Sequence, residues 1–162
     1  MIELHPWTPE DAPVLERTVG DSAMMEHLGG AESAEQITRR HERYVRTALP
    51  EGQMYTIRLD GATVGTAGFW EREWNGERVY EAGWQVYPEY ARRGIATSAA
   101  RELVRRARAC ERNRYLHAFP SVDNAASNAV CARAGFVNRG ECDFEFPKGT
   151  MMRSNDWRLD LW

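Results

Sequence analysis

The amino-acid sequence predicts an α/β fold with a mixed, mostly antiparallel central sheet of about seven strands flanked by about four helices. Three observations carry this. Met54 to Leu59, Thr63 to Trp70 and Val79 to Tyr87 are rich in β-branched and aromatic residues, and Asp60-Gly61 and Trp74-Asn75-Gly76-Glu77 separate them, the pattern of consecutive hairpins. Gly94 to Cys110 places Ile95, Ala96, Ala99, Ala100, Leu103, Val104 and Ala107 at intervals of three and four, with Arg101, Glu102, Arg105 and Arg106 on the other faces of a helix. Beyond it, the order is strand, helix and two strands, an α/β arrangement with a mixed central sheet.

The elements follow in order. Ile2 to Trp7 is a first strand, and Thr8-Pro9-Glu10-Asp11 opens a helix with Thr8 as cap, Pro9 at its first position and acids in its first turn. Ser33 opens a second helix that runs to Ala48, with Gln36 at the capping-box spacing. The three antiparallel strands come next, and the last stops at Pro88, which has no amide hydrogen to continue a ladder. After the amphipathic helix, Tyr115 to Phe119 reads as a buried strand. Asn124 begins a short helix closed by Gly135, and Phe136 to Phe146 with Trp157 to Trp162 forms a final hairpin around Pro147-Lys148-Gly149. No repeat, linker or low-complexity stretch interrupts the chain, and 162 residues with six Trp, six Tyr and five Phe suffice for one core.

Val86-Tyr87-Pro88-Glu89-Tyr90-Ala91-Arg92-Arg93-Gly94-Ile95-Ala96-Thr97 joins the end of a strand to the first turn of a helix. The first amides of a helix lack intrahelical acceptors and carry partial positive charge, so the backbone of Arg93 to Thr97 suits an anion, and Gly94 lets that backbone come close. The site reads as one for a diphosphate. The alternative is a basic turn that merely connects two elements, since a short glycine motif is a weak signal alone.

A second motif supplies context. Asn124-Ala125-Ala126-Ser127, closed by Gly135-Phe136, and the strand motif Glu81-Ala82-Gly83-Trp84 accompany the loop, and Met25-Glu26-His27-Leu28-Gly29-Gly30 precedes them. Together, over most of the chain, these resemble the GNAT superfamily of acetyl-CoA-dependent N-acetyltransferases, and within it the branch of ribosomal-protein-alanine acetyltransferases and their small-molecule-modifying relatives. Pro88 to Thr97 resembles the family's pyrophosphate loop, Q/R-x-x-G-x-G/A, with Ala91 in the Q/R position. Main-chain amides do most of that binding, and Arg92 and Arg93 keep the loop cationic.

The resemblance implies residues 1–162 as one N-acetyltransferase domain, with the sheet splayed beside Gln85 and Val86 so that their main-chain groups pair with the pantetheine arm. Cofactor contacts are then Gln85, Val86, Arg92, Arg93, Gly94, Ile95, Ala96, Thr97, Asn124 and Ser127. An amide near Val86 stabilises the oxyanion, worth roughly 3 kcal/mol or more, and transfer is direct, with no metal and no covalent enzyme intermediate. An aliphatic amine is protonated at neutral pH and must lose a proton to attack. Glu81 is the first candidate base, its alternative an ion-paired carboxylate that orients substrate; Glu145 is the reserve, and His117 has a suitable intrinsic pKa but reads more simply as structural. Cys131 stands where many family members carry a tyrosine general acid, and reads as a small packing residue. Ser127, one turn earlier, is the candidate partner for the leaving sulfur, and Asn124 is a helix cap, a pantetheine ligand, or both.

Acceptor entry is expected at Met24, Met25, His27 and Leu28 and at the helix bearing Arg39, Arg40, Arg43 and Tyr44, with Trp70, Trp74 and Trp84 as aromatic surface or core. Glu71, Glu73, Glu77, Glu141, Asp143 and Glu145 would suit a cationic amine. The net charge of −3 and a pI near 5.8 argue against general nucleic-acid binding. Cys110, Cys131 and Cys142 show neither a disulfide nor a zinc pattern, and no signal peptide or membrane span is apparent, so reduced thiols and a cytoplasmic location are expected. Three functions fit: acetylation of a small primary amine, N-terminal acetylation of a protein such as a ribosomal protein, and a non-catalytic acyl-CoA sensor. Phe144, Phe146, Trp157 and Trp162 are candidates for a homodimer interface.

Overall fold

The computed structural model describes all residues, Met1–Trp162. Seven strands form one sheet in the order β1-β2-β3-β4-β5-β7-β6. They are β1 Ile2–Pro6, β2 Gly52–Leu59, β3 Ala62–Trp74, β4 Glu77–Val86, β5 Tyr115–Ala118, β6 Val137–Glu145 and β7 Met151–Asp160, with helices α1 Ala12–Arg17, α2 Ala34–Arg46, α3 Ile95–Ala109 and α4 Ala125–Arg133. Only β4 and β5 are parallel. The mixed α/β architecture and the order of elements are those the sequence predicts.

Two hairpin turns set the registers. Asp60, Gly61, Asn75 and Gly76 have φ of 51°, 83°, 50° and 80°, as a two-residue turn of matching twist requires. A bulge offsets β2 against β3 between Ile57 and Arg58, whereas the β3–β4 ladder is unbroken from Trp74↔Glu77 to Gly65↔Val86. The two-residue period of that ladder puts Trp70, Arg72, Glu81, Gly83 and Gln85 on one face of the sheet, and Ala67, Phe69, Tyr80, Ala82 and Trp84 on the other.

Each face has its own core. Ala67, Phe69, Tyr80 and Ala82 pack with Ile95, Ala99 and Leu103 of α3 and with Leu116 of β5. Across the sheet, Trp7, Leu15, Val19, Met25 and Met54 form a smaller cluster against which Ile37 and Tyr44 of α2 and Trp70 pack. Met25, 1% exposed, anchors the irregular segment between α1 and α2.

Details differ from the sequence reading at three places. The first helix begins as a 3-10 turn, Pro9–Asp11, in which the Thr8 amide donates to Asp11 Oδ2 at 2.8 Å, and α1 stops at Thr18, whose hydroxyl donates back to Val14 O at 3.2 Å. β7 starts at Met151 rather than Trp157, because Phe146 N–H bonds to Thr150 O and Thr150 N–H to Pro147 O, closing the turn at once. Of the four apolar residues offered for a dimer, only Trp162 is free at 73% exposed; Phe144 is buried, and Phe146 and Trp157 are half-buried. No helix is long and apolar enough to cross a membrane.

Candidate active site

The sheet opens where β4 and β5 part. Their pairing consists of Tyr80↔Leu116 and Glu81↔His117. β4 continues to Val86, but β5 ends at Ala118, because Pro120 cannot donate to a ladder and the chain is drawn towards β7 by Asn155 N–H on Pro120 O (3.0 Å) and Val122 N–H on Arg153 O (3.1 Å). Ladder bonds alternate along a strand, and Tyr87 N–H reaches Val64 O at 2.8 Å, so odd-numbered residues of β4 bond to β3. Trp84 and Val86 therefore turn their main-chain groups towards the opening, where no strand meets them. Such groups call for a partner.

Beyond Val86 the chain makes the turn Pro88–Tyr90 and enters α3 through Gly94. Arg92 and Gly94 have φ of 62° and 76°, a curl that gathers successive amides into an anion-binding concavity. Gly94 has no capping side chain, which leaves the amides of Ile95, Ala96 and Thr97 without acceptors. Ile95 and Thr97 bury their side chains and anchor the loop, whereas Arg92, Arg93 and Gly94 are exposed. Neither arginine is paired with a carboxylate; Arg93 lies 5.4 Å from the centre of the Tyr90 ring. From behind, Arg17 of α1 pairs with Glu89 and stacks over Tyr87 at 3.8 Å, which fixes the turn.

α4 forms one wall. Asn124 caps it, its Oδ1 accepting from Ser127 N–H at 3.1 Å, while its own side-chain amide stays free of protein partners. Ser127 faces the cleft with no protein partner for its hydroxyl. Asn128 ties the wall to β7: its amide donates to Ser121 O (3.0 Å) and Asn124 O (2.8 Å), and its oxygen accepts from Asn155 Nδ2 and Trp157 Nε1, both at 2.8 Å. Cys131 is wholly buried, and burial pushes its thiol up to about 12.

On the opposite face of the opening, Glu81 is bridged to Arg72 at 2.9 Å, with its side chain 15% exposed. Burial pushes the Glu81 carboxyl above its ordinary value, and the Arg72 guanidinium works against that rise. Arg72 in turn lies 4.6 Å from the Phe144 ring. Beside this pair, Asp156 accepts from Trp74 Nε1 at 3.1 Å and lies 2.6 Å from His117 Nδ1. The resulting cleft has a volume of about 920 Å³, including the part open to solvent; it is lined by Met25, Leu28, Arg40, Tyr44, Trp70, Phe119, Phe144, Phe146 and Met152 on the Glu81 side and by Trp84, Asn124 and Ser127 on the other.

The model of the acetyltransferase (GNAT) domain matches residues 2–137. The chain belongs to the GNAT acetyltransferase family. Among solved structures, the aminoglycoside acetyltransferase AAC(6')-Ib in complex with coenzyme A is 18% identical with a TM-score of 0.77, over 99% of this chain and 95% of that one. RimL, a ribosomal L7/L12 alpha-N-protein acetyltransferase in complex with coenzyme A, is 20% identical with a TM-score of 0.80, over 98% and 93%. The acetyltransferase yncA of Salmonella typhimurium, with acetyl-CoA, is 18% identical with a TM-score of 0.80, over 99% and 94%. At these identities the likeness is one of fold. No curated protein sequence matches the chain significantly.

In this GNAT chain, Glu81, Asn124 and Ser127 line the opening, and β4 ends at Val86, from which the Arg92 to Thr97 loop leads into α3. Gln85 lies otherwise than expected: its main chain belongs to the β3 ladder, and its side chain sits on the Glu81 face, 3.5 Å from Met25 Sδ. The six acidic residues proposed for a cationic amine do not line the cleft. Glu71 lies across the sheet, bound to Arg112, Glu141 and Asp143 pair with Arg153, and the reserve base Glu145 is exposed and accepts from Gly149 N–H. Of the expected acceptor residues, Met25, Leu28, Arg40, Tyr44 and Trp70 line it, whereas Met24, His27, Arg39, Arg43 and Trp74 do not. Sequence reasoning missed Arg72, Asn128, Phe119 and Asp156. Only Arg72 had a local signal: counting back from Asn75-Gly76 makes Trp70 the partner of Glu81 and Arg72 its diagonal neighbour.

Proposed function

We propose that this acetyltransferase moves the acetyl group of acetyl-CoA onto a primary amine of a small molecule, by direct attack in a ternary complex. One observation carries the reading: a single opening in the sheet joins a free strand edge and an anion cradle to an aromatic-lined pocket that holds a largely buried carboxylate. The residues present fit the cofactor. The amides of Ile95 to Thr97 with Arg92 and Arg93 suit a diphosphate, the free groups of Trp84 and Val86 suit an amide-bearing arm added as a strand, and Asn124 and Ser127 offer free polar atoms along the wall.

The acceptor enters on the Glu81 side. Its nitrogen attacks the thioester carbonyl carbon, the C–N bond forms, the C–S bond breaks and coenzyme A leaves as the thiolate, which takes a proton from solvent to become the thiol. Glu81 takes the proton released by the amine, directly or through water, and passes it to solvent. Val86 N–H donates to the carbonyl oxygen as charge builds there, and Ser127 Oγ–H donates to the departing sulfur. Cys131, with its thiol at about 12 and no access to the cleft, takes no part.

The test is thiol release from acetyl-CoA by the purified protein across amines, amino acid derivatives, aminoglycosides and N-terminal peptides, with Glu81→Gln in parallel. Acceptor-dependent release, lowered about 100-fold in kcat by the variant with unchanged acetyl-CoA affinity, is the expected result. Binding of acetyl-CoA with no acceptor-dependent release would make the chain an acyl-CoA sensor, and exclusive turnover of peptides would make it an N-terminal acetyltransferase.

A further inference from the structure

Both charged side chains in the cleft wall are already neutralised. Glu81 is held by Arg72, and Arg40 by Glu32 in a two-bond pair whose side chains are 15% and 14% exposed. What remains on the acceptor side is largely apolar and aromatic. Phe119 and Phe144 stack at 4.5 Å with 16° between their planes, His117 covers the other face of Phe119 at 5.5 Å, and Trp74 packs against Phe119 at 4.6 Å, so this aromatic wall is fixed. Trp70 lies against β4 because residue 83 is glycine; a Cβ there would sit 3.1 Å from its ring. The α1–α2 segment touches the β6–β7 turn, where a Cβ on Gly29 would sit 2.6 Å from Pro147.

A second ammonium or a carboxylate on the acceptor would lose its water against these rings and find no free counter-charge. A polypeptide continuing past its first residues would have to run over the contact of Gly29 with Pro147. Resting on the acetyltransferase reading above, we propose that the acceptor is a primary monoamine carried by one compact, apolar, ring-bearing body, the class of a simple arylalkylamine. The amine then lies at Glu81 and the ring against the apolar wall formed by Trp70, Phe144, Phe146 and Met152.

Initial rates of acceptor-dependent thiol release distinguish the possibilities, with 2-phenylethylamine, phenylalanine, spermine, kanamycin and an alanine-initiated hexapeptide as probes on the full-length protein. The expected kcat/KM for 2-phenylethylamine is at least about tenfold above each of the others, the discrimination of one unpaired charge. Leu28→Glu, at a half-buried position in the cleft wall, is expected to narrow its lead over spermine by about tenfold, because the new carboxylate partners a second ammonium. Turnover of spermine, kanamycin, phenylalanine or the peptide equal to that of 2-phenylethylamine overturns the proposal and leaves the acetyltransferase reading standing. Absence of acceptor-dependent release with every probe removes both.

Discussion

Gly94→Ala separates the anion cradle from the stability of the turn that forms it. Gly94 sits at φ 76°, and a Cβ there meets no protein atom within 4 Å, so the substitution costs only the left-handed strain of an L-residue, about 1 kcal/mol. For a chain of this length that lowers Tm by about 2–4 °C. A methyl in that open space has only a ligand left to disturb. Displacing a diphosphate from one or two of the amides of Ile95 to Thr97 removes charge-assisted bonds worth about 1.5–3 kcal/mol each, hence about 3 kcal/mol and about a 100-fold rise in Kd for coenzyme A. Thermal denaturation of the free protein measures the first number and titration calorimetry the second. Pantetheine, which lacks the diphosphate, should bind variant and wild type alike. A coenzyme A affinity within twofold of wild type, or an equal loss for pantetheine, would refute the assignment.

Other outcomes follow from the same geometry. Glu81 acts as base only when ionised, and burial raises its pKa, so activity should rise with pH through a limb above the ordinary carboxylate range; Arg72→Met removes an influence that lowers this pKa and should move the limb to higher pH, whereas an unmoved limb would take Glu81 out of the proton path. Asn128→Ala deletes four hydrogen bonds and leaves Trp157 Nε1 without its partner, a loss of about 3–4 kcal/mol and about 10 °C in Tm, and a change under 2 °C in a thermal melt would show the link between α4 and β7 to be dispensable. With its thiol at about 12, Cys131 should resist an aromatic disulfide reagent at pH 8 until the chain unfolds, so titration of the native protein should count no more than Cys110 and Cys142.

Sequence carried the architecture because its punctuation is local. Asp60-Gly61 and Asn75-Gly76 fix two registers, Pro88 and Pro120 end strands, and the three-four spacing of α3 fixes its buried face. The face of Glu81 was legible only once the β3–β4 ladder proved free of bulges, since a single inserted residue would have turned Glu81 away from Trp70. The acceptor pocket was less legible. Phe119 and Phe144 stack across the sheet from segments far apart in the chain, and the pairing of Arg40 with Glu32 silences a charge that the sequence displays as free. Charge counting failed for the same reason: Glu71, Glu141 and Asp143 each found an arginine elsewhere.

The central claim is that the main-chain edge left unpaired at the end of β4, together with the start of α3, holds the acyl cofactor. Amide hydrogen exchange measured residue by residue, with and without saturating acetyl-CoA, tests it most directly. The account expects new protection at Trp84, Val86 and Ile95 to Thr97 and little change at Gln85, whose amide already belongs to the β3 ladder. Protection confined to other parts of the chain, or exchange at Val86 and Ile95 to Thr97 unaltered by bound acetyl-CoA, would contradict it.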